Sequence, residues 1–273
     1  MKNVSIARVT VVLSVFLLSG HPAFSEPTPS PASSATEETN SLPPELSKKI
    51  NDAATKMLRE SGVPSASIAV VKDGKLAYTK AYGLADIESH RPATTSMIYS
   101  IGSISKQFTA ASILLLAEEG KLSIDDPVGR WLPDLTRANE VTIRQVLSMT
   151  SGYQDFWPQD YVMPSMMKPA SPEEILKGWA QKPLDFEPGT KWQYSNTNYV
   201  AAGVIVERLG GMSVLDFLHR RVFDPLGMKT VFDCDSSALP PGAPTRYHRY
   251  GLGPARPAPK EGKGWMFAAA SWR

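Results

Sequence analysis

Apolar residues recur at helical spacing through Leu46, Ile50, Ala54 and Leu58, which predicts a helix over 45–59 that ends at Ser61-Gly62. The pattern then changes. Ala66-Ser67-Ile68-Ala69-Val70-Val71 reads as a strand, Lys72-Asp73-Gly74-Lys75 as a hairpin turn, and 76–82 as the return strand. A loop through Pro92 leads to 109–119, a run of helix formers stopped by Gly120. Beyond it the chain reads mainly helical. One short helix is expected over 141–149, opened by Thr142 and closed near Ser151-Gly152. Others are expected over 172–180, over 198–209 before Gly210-Gly211, and over 214–222. From 233 to 263 the density of Pro and Gly predicts mostly loop. No internal repeat is visible.

Composition adds a leader. Lys2 and Arg8 form a basic start, Val9 to Leu18 an apolar run, and Ala23-Phe24-Ser25 a small-x-small cleavage site, so 1–25 reads as a secretory signal peptide. The apolar run is short for a bilayer span with charges so near, so no stable membrane anchor is expected after cleavage, and no cysteine follows it to carry a lipid. Residues 26–44 are Pro, Ser, Thr, Ala and Glu with few apolar positions, which predicts a disordered linker. The remaining domain runs from 45 to 273. Removing Lys2 and Arg8 takes Lys+Arg from 29 to 27 against 27 acidic residues, so the formal charge falls from +2 to zero. Nothing in that balance suggests nucleic acid as a partner. Cys234 is the only cysteine, so an internal disulfide is excluded and a secreted or periplasmic protein must be held by its core.

The candidate chemistry centres on Ser103 and Lys106. Residues three apart on a helix share a face, so the hydroxyl and the amine should meet where the helix before Gly120 begins. A serine hydroxyl becomes nucleophilic when a neighbouring base takes its proton, and a lysine serves as that base once burial lowers its pKa. Chance also produces Ser-x-x-Lys, and a second copy stands at Ser165-Met166-Met167-Lys168. Pro164 and Pro169 flank that copy, so no helix is expected to carry its spacing. Tyr194-Ser195-Asn196 lies in a polar loop before the 198–209 helix. It reads either as an exposed turn at a helix cap, or as a phenol shuttling a proton beside an amide that holds substrate. A Ser-His-Asp hydrolase finds no support, because no Gly-x-Ser-x-Gly elbow occurs. His and Cys are scattered and no Gly-rich phosphate loop is present, so no metal or cofactor is expected.

Larger motifs carry a resemblance. The stretch from Phe186-Glu187-Pro188-Gly189 through Tyr194-Ser195-Asn196 to Tyr199 resembles the second signature of the serine β-lactamase and penicillin-binding family, in its class C and esterase-like branch. Tyr99 to Leu122 resembles the first signature. Asp125-Asp126-Pro127, Thr150-Ser151-Gly152 and Pro225-Leu226-Gly227-Met228 are similar to recurring structural stretches in the same order. The resemblance implies an α+β fold, an antiparallel sheet with flanking helices plus a helical domain, with the site between them. It implies Ser103 as the acyl-accepting nucleophile, Lys106 as the base or its partner, Tyr194 as a proton-transfer residue and Asn196 as a substrate contact. Lys106 and Tyr194 both remain open as the general base. The implied substrate is a small amide or ester (β-lactam, ester or peptide) or a peptidoglycan-related molecule.

Two departures stand out. Members carry a third signature, Lys or His followed by Thr or Ser and Gly, on a later strand that supplies part of the oxyanion hole; no such triplet follows Tyr194 here. The resemblance therefore implies a chain truncated at its C-terminus and lacking sheet strands. Residues 264–269 are similar to a segment that in relatives leads on to a helix and three strands. On that expectation the 66–82 hairpin keeps an open edge and an uncovered apolar face. Activity would then be impaired, since one lost oxyanion donor costs about 100- to 1000-fold in rate. The alternative is a non-catalytic cell-wall binding remnant. Met149 stands where relatives often have His, from which only a packing change is expected.

Overall fold

The computed structural model describes residues 38–159, 161–235, 242–249 and 253–273, all within the unit Ala35–Arg273. The expected signal peptide over 1–25 and the linker up to residue 37 lie outside the described residues.

Helix α1 (Pro44–Ser61) begins on a proline, whose missing N–H is unneeded in a first turn, and ends at Gly62, whose N–H reaches the Leu58 carbonyl at 2.9 Å. Strands β2 (Ser65–Lys72) and β3 (Lys75–Asp86) form the expected hairpin. Asp73 and Gly74 both take positive φ, the geometry of a tight turn that matches strand twist. The sheet does not stop there. A two-residue strand, β1 (Thr39–Asn40), pairs with β3 at Thr79 and Tyr78, and β4 (Arg91–Pro92) pairs with the far end of β3. This corrects the expected linker over 26–44 at its end. Asn40 Oδ1 accepts from the Leu42 N–H and the Ser47 hydroxyl, and Leu42 is buried against Ala77 and Tyr78. The stretch buries a single apolar residue, Leu42, and is otherwise held by hydrogen bonds to β3, so it carries no periodic signal.

The hairpin is thus not a bare two-stranded unit. Ile50 of α1 packs with Ile68 and Val70 on one face, and the Tyr78 and Tyr82 hydroxyls both donate to Asn51 Oδ1. Among the described residues β2 pairs only with β3, so its outer edge stays open.

The main core is helical. Helix α2 (Ser105–Glu118) packs on α5 (Asn196–Gly210), which also receives α3 (Ile143–Leu147) and α4 (Pro172–Trp179). Residues 197–206 of α5 are buried all round, which is why that helix shows no polar stripe in sequence. Capping boxes open α3 at Thr142 with Gln145 and α4 at Ser171 with Glu174. Helix α3 is shorter than expected because Met149 adopts positive φ just beyond its cap. Helix α6 (Val214–Leu218) passes into a π-helical turn over His219–Phe223 rather than continuing as α-helix. The 233–263 region, expected to be mostly loop, contains a small ladder of β5 (Tyr247–His248) and β6 (Arg256–Pro257). Around Ser165 a 3-10 turn does form, over Pro164–Met167. It stops before Lys168, which is extended, so that Ser-x-x-Lys copy still has no helix across it.

The last ten residues fold back into the core. Trp265 Nε1 donates to the Lys168 carbonyl, Phe232 and Arg273 exchange backbone hydrogen bonds, and Trp272 N–H reaches Ser105 Oγ at 3.1 Å. Gly264 has φ +99°, and a Cβ there would fall 1.7 Å from the Ala170 carbonyl oxygen. Gly203 of α5 faces this segment closely; a Cβ there would sit 2.5 Å from Ala268 Cβ and 2.7 Å from the Phe267 ring. Overpacking of this kind costs about 1–3 kcal/mol. Gly203→Val is therefore expected to lower the urea midpoint by a corresponding amount, and an unchanged midpoint would contradict this packing.

Candidate active site

The N-terminal turn of α2 is where the chemistry gathers. Gly102–Ile104 forms a 3-10 turn that runs directly into α2, so Ser103 sits exposed at the entrance and Lys106 points inward, 6% exposed. Lys106 Nζ lies 2.9 Å from Ser103 Oγ, and the Tyr194 hydroxyl lies 2.6 Å from Ser103 Oγ on its other side. Lys106 also reaches Asn196 Oδ1 at 2.8 Å and the Ala269 carbonyl at 2.9 Å. The four residues singled out in the sequence are therefore brought together around one hydroxyl.

Each arrives by a separate route. The loop carrying Tyr194 is held on the Thr150-Ser151-Gly152 turn, where Gly189 N–H donates to the Thr150 carbonyl and Gln193 N–H to the Met149 carbonyl. Asn196 is the first residue of α5, two positions earlier than the expected start at 198, because Asn196 and buried Thr197 belong to the helix and not to a loop. Ser195 makes no side-chain cap there. Asp155 takes that place: its Oδ1 accepts from the Asn196 backbone N–H at 2.9 Å and from Asn196 Nδ2 at 3.1 Å. A carboxylate near a helix N-terminus is favoured by the helix dipole. The Ala269 carbonyl is held over Lys106 by the folded-back tail, which Thr109 Oγ1 anchors by donating to the Ala268 carbonyl. Met149 packs with Tyr199 and Ala269, next to the lysine.

Residues 50–272 match the profile of the Beta-lactamase family. The chain belongs to the β-lactamase family. Penicillin-binding protein 4* of Bacillus subtilis is 37% identical over 59% of this chain and 36% of its own length. Esterase EstB of Burkholderia gladioli is 32% identical over 74% of this chain and 55% of its own. The solved structure of the D-amino acid amidase from Ochrobactrum anthropi SV3 in complex with D-phenylalanine superposes with a TM-score of 0.71 and 27% identity, covering 82% of this chain and 67% of the amidase. This β-lactamase-family chain thus spans between about a third and two thirds of the length of these relatives. Its mixed helices and antiparallel sheet share their fold.

The electrostatics of the cluster follow from burial. Desolvation lowers the Lys106 pKa to about 8, and the Asp155 carboxylate opposes part of that fall. The Tyr194 and Tyr199 rings lie 4.9 and 5.6 Å from Nζ, placing the amine against two aromatic faces. Hydrogen-bonding logic sets the amine's direction. The Asn196 and Ala269 oxygens can only accept, so they take N–H groups. Once the amine is neutral its lone pair is left facing the Ser103 hydroxyl, the one neighbour in that set able to donate. Asp155 and the Ala269 carbonyl escaped the sequence reading. A lone acid in a polar loop has no spacing relation to Lys106, and a backbone carbonyl has no residue signature.

A depressed lysine pKa couples folding to pH. Unfolded, the amine titrates near its ordinary value of 10.5; folded, near 8. The unfolded chain binds more protons between those values, so this group's contribution to stability rises with pH across that window and is lost as pH falls through about 8. At about 1.4 kcal/mol per pKa unit, the advantage of the native protein over Lys106→Met should grow by roughly 2–3 kcal/mol from pH 8 to 10.5. Urea unfolding of both proteins across that range checks it, and parallel pH curves would refute it.

Proposed function

We propose that this chain is an exported serine hydrolase that opens small amides or esters through a covalent acyl-enzyme on Ser103. The observation that carries the reading is the position of Ser103 Oγ, 2.9 Å from Lys106 Nζ and 2.6 Å from the Tyr194 hydroxyl. Ser103 Oγ attacks the substrate carbonyl and a new C–O bond forms. The hydroxyl proton passes to Lys106 or Tyr194, and returns to the leaving amine or alcohol as the C–N or C–O bond breaks. Water then repeats the sequence on the acyl-serine and releases the acid. Asn196 Oδ1 accepts from Lys106 and holds the amine beside Ser103, while its Nδ2 is taken up by Asp155.

Similarity to an esterase and to a D-amino acid amidase supports a small ester or amide, and similarity to a penicillin-binding protein extends the reading to lactams and cell-wall peptides. The basic start and apolar run before residue 26 support export to a secreted or periplasmic location. No helix among the described residues is long and apolar enough to cross a membrane.

A fluorophosphonate or a fluorescent penicillin should label the protein at Ser103, and Ser103→Ala should abolish the label. Labelling that persists in Ser103→Ala removes the catalytic assignment and leaves the cell-wall binding reading. Tyr194→Phe should slow acylation by about 100- to 10,000-fold with the fold intact. With Lys106 as the acceptor, the acylation rate should rise with pH along an acid limb whose midpoint lies near the Lys106 value of about 8, and a rate with no limb there would assign the proton to Tyr194.

A further inference from the structure

We infer that Asp155 is a positioning residue of this site, which fixes the amide of Asn196 and thereby aims Lys106 at Ser103. The inference deepens the acyl-enzyme reading and rests on it. Asp155 touches none of the groups that react. Its Oδ1 accepts from the Asn196 backbone N–H at 2.9 Å and from Asn196 Nδ2 at 3.1 Å, while Oδ2 stands 3.3 Å from the same Nδ2. Oδ1 also accepts from the Trp157 N–H at 3.1 Å, which pins the carboxylate from its own side of the loop. The strand of chain around it is tied to α5 again by Thr197, whose hydroxyl donates to the Gln154 carbonyl at 2.6 Å and accepts the Phe156 N–H.

The consequence is a choice of amide orientation. A carboxylate can only accept, so Nδ2 of Asn196 must face Asp155 and Oδ1 must face Lys106, where it lies 2.8 Å from Nζ. With the amide reversed, Nδ2 would present N–H groups to the lysine. Those donors would compete with the Ser103 hydroxyl for the lone pair of the neutral amine. The Asp155 charge therefore selects the one orientation in which that lone pair is left for Ser103. A purely structural cap of α5 would need only the backbone N–H bond; the additional bonds to Nδ2 serve the side chain.

The titratable groups facing Lys106 are Asp155 from the loop, Tyr194 from the loop before α5 and Tyr199 from α5 itself. Removing the Asp155 charge leaves burial unopposed, so the lysine should titrate at lower pH than in the native protein. The test uses the full chain with Asp155→Asn, and with Asp155→Ser, which keeps a neutral acceptor for the helix N-terminus should the first variant fold poorly. Two readouts are taken: acylation by a fluorophosphonate across pH, and the Lys106 titration by NMR of 13C-labelled lysine, which needs no turnover. The expected result is a fall in acylation of up to about 100-fold, the cost of displacing a reacting group by about 1 Å. The acid limb and the NMR midpoint should both move to lower pH. Combining Asp155→Asn with Asn196→Ala should cost no more than Asn196→Ala alone, because one acts through the other. An unmoved midpoint in a folded variant, or losses that simply add, would overturn the positioning role. A native protein that is never acylated would overturn the hydrolase reading instead, and the NMR midpoint would still decide whether Asp155 acts on Lys106.

Discussion

The structure depends on burying one amine. Lys106 is taken out of water beneath the first turn of α2, and a buried charge is tolerated only when its N–H groups find acceptors. One acceptor is local, Ser103 on the preceding turn, and two are distant in sequence: Asn196 at the start of α5 and the carbonyl of Ala269 in the folded-back tail. Satisfying the lysine therefore requires α2, α5 and the tail to be assembled in one register. The same demand lowers the amine's proton affinity, so that a structural constraint and a chemical property have a single origin.

The helical core exists to hold that register. Helix α5 is buried on all sides, with α2, α3 and α4 around it, and its first residues carry the polar groups that meet the lysine. Close approach of the tail at Gly203 acts on the middle of α5, and the Asp155 cap acts on its N-terminus. The sheet contributes less to the site. It is completed on one edge by β1 and β4 and covered on one face by α1, while the β2 edge remains unpaired among the described residues. Likeness to penicillin-binding, esterase and amidase relatives indicates the family and its fold; the proposed acyl transfer rests on the geometry of Ser103, Lys106 and Tyr194.

Local features were legible from the residues. The hairpin at Asp73-Gly74, the N-cap at Thr142, the stop at Gly62 and the Ser103–Lys106 spacing each depend on neighbours within a few positions. Features held by distant partners were not. Strand β1 is held by its pairing with β3, 36 to 40 positions away, and by buried Leu42, and α5 begins at Asn196 because a carboxylate from another loop caps it. The β5–β6 ladder is two residues long on each side and lies among prolines and glycines that read as loop.

The sequence by itself determined the family resemblance, the helical periodicity, and the pairing of a hydroxyl with an amine one helical turn apart, since i and i+3 adjacency is a property of the helix alone. Tertiary structure decided what that pair could become. Only folding removes Lys106 from water, brings the Tyr194 hydroxyl to within 2.6 Å of Ser103 across 91 positions of chain, and turns Asn196 with a carboxylate from a third segment. Proton affinity and hydrogen-bond direction depend on solvent exclusion and on partners far apart in sequence, which no local pattern encodes.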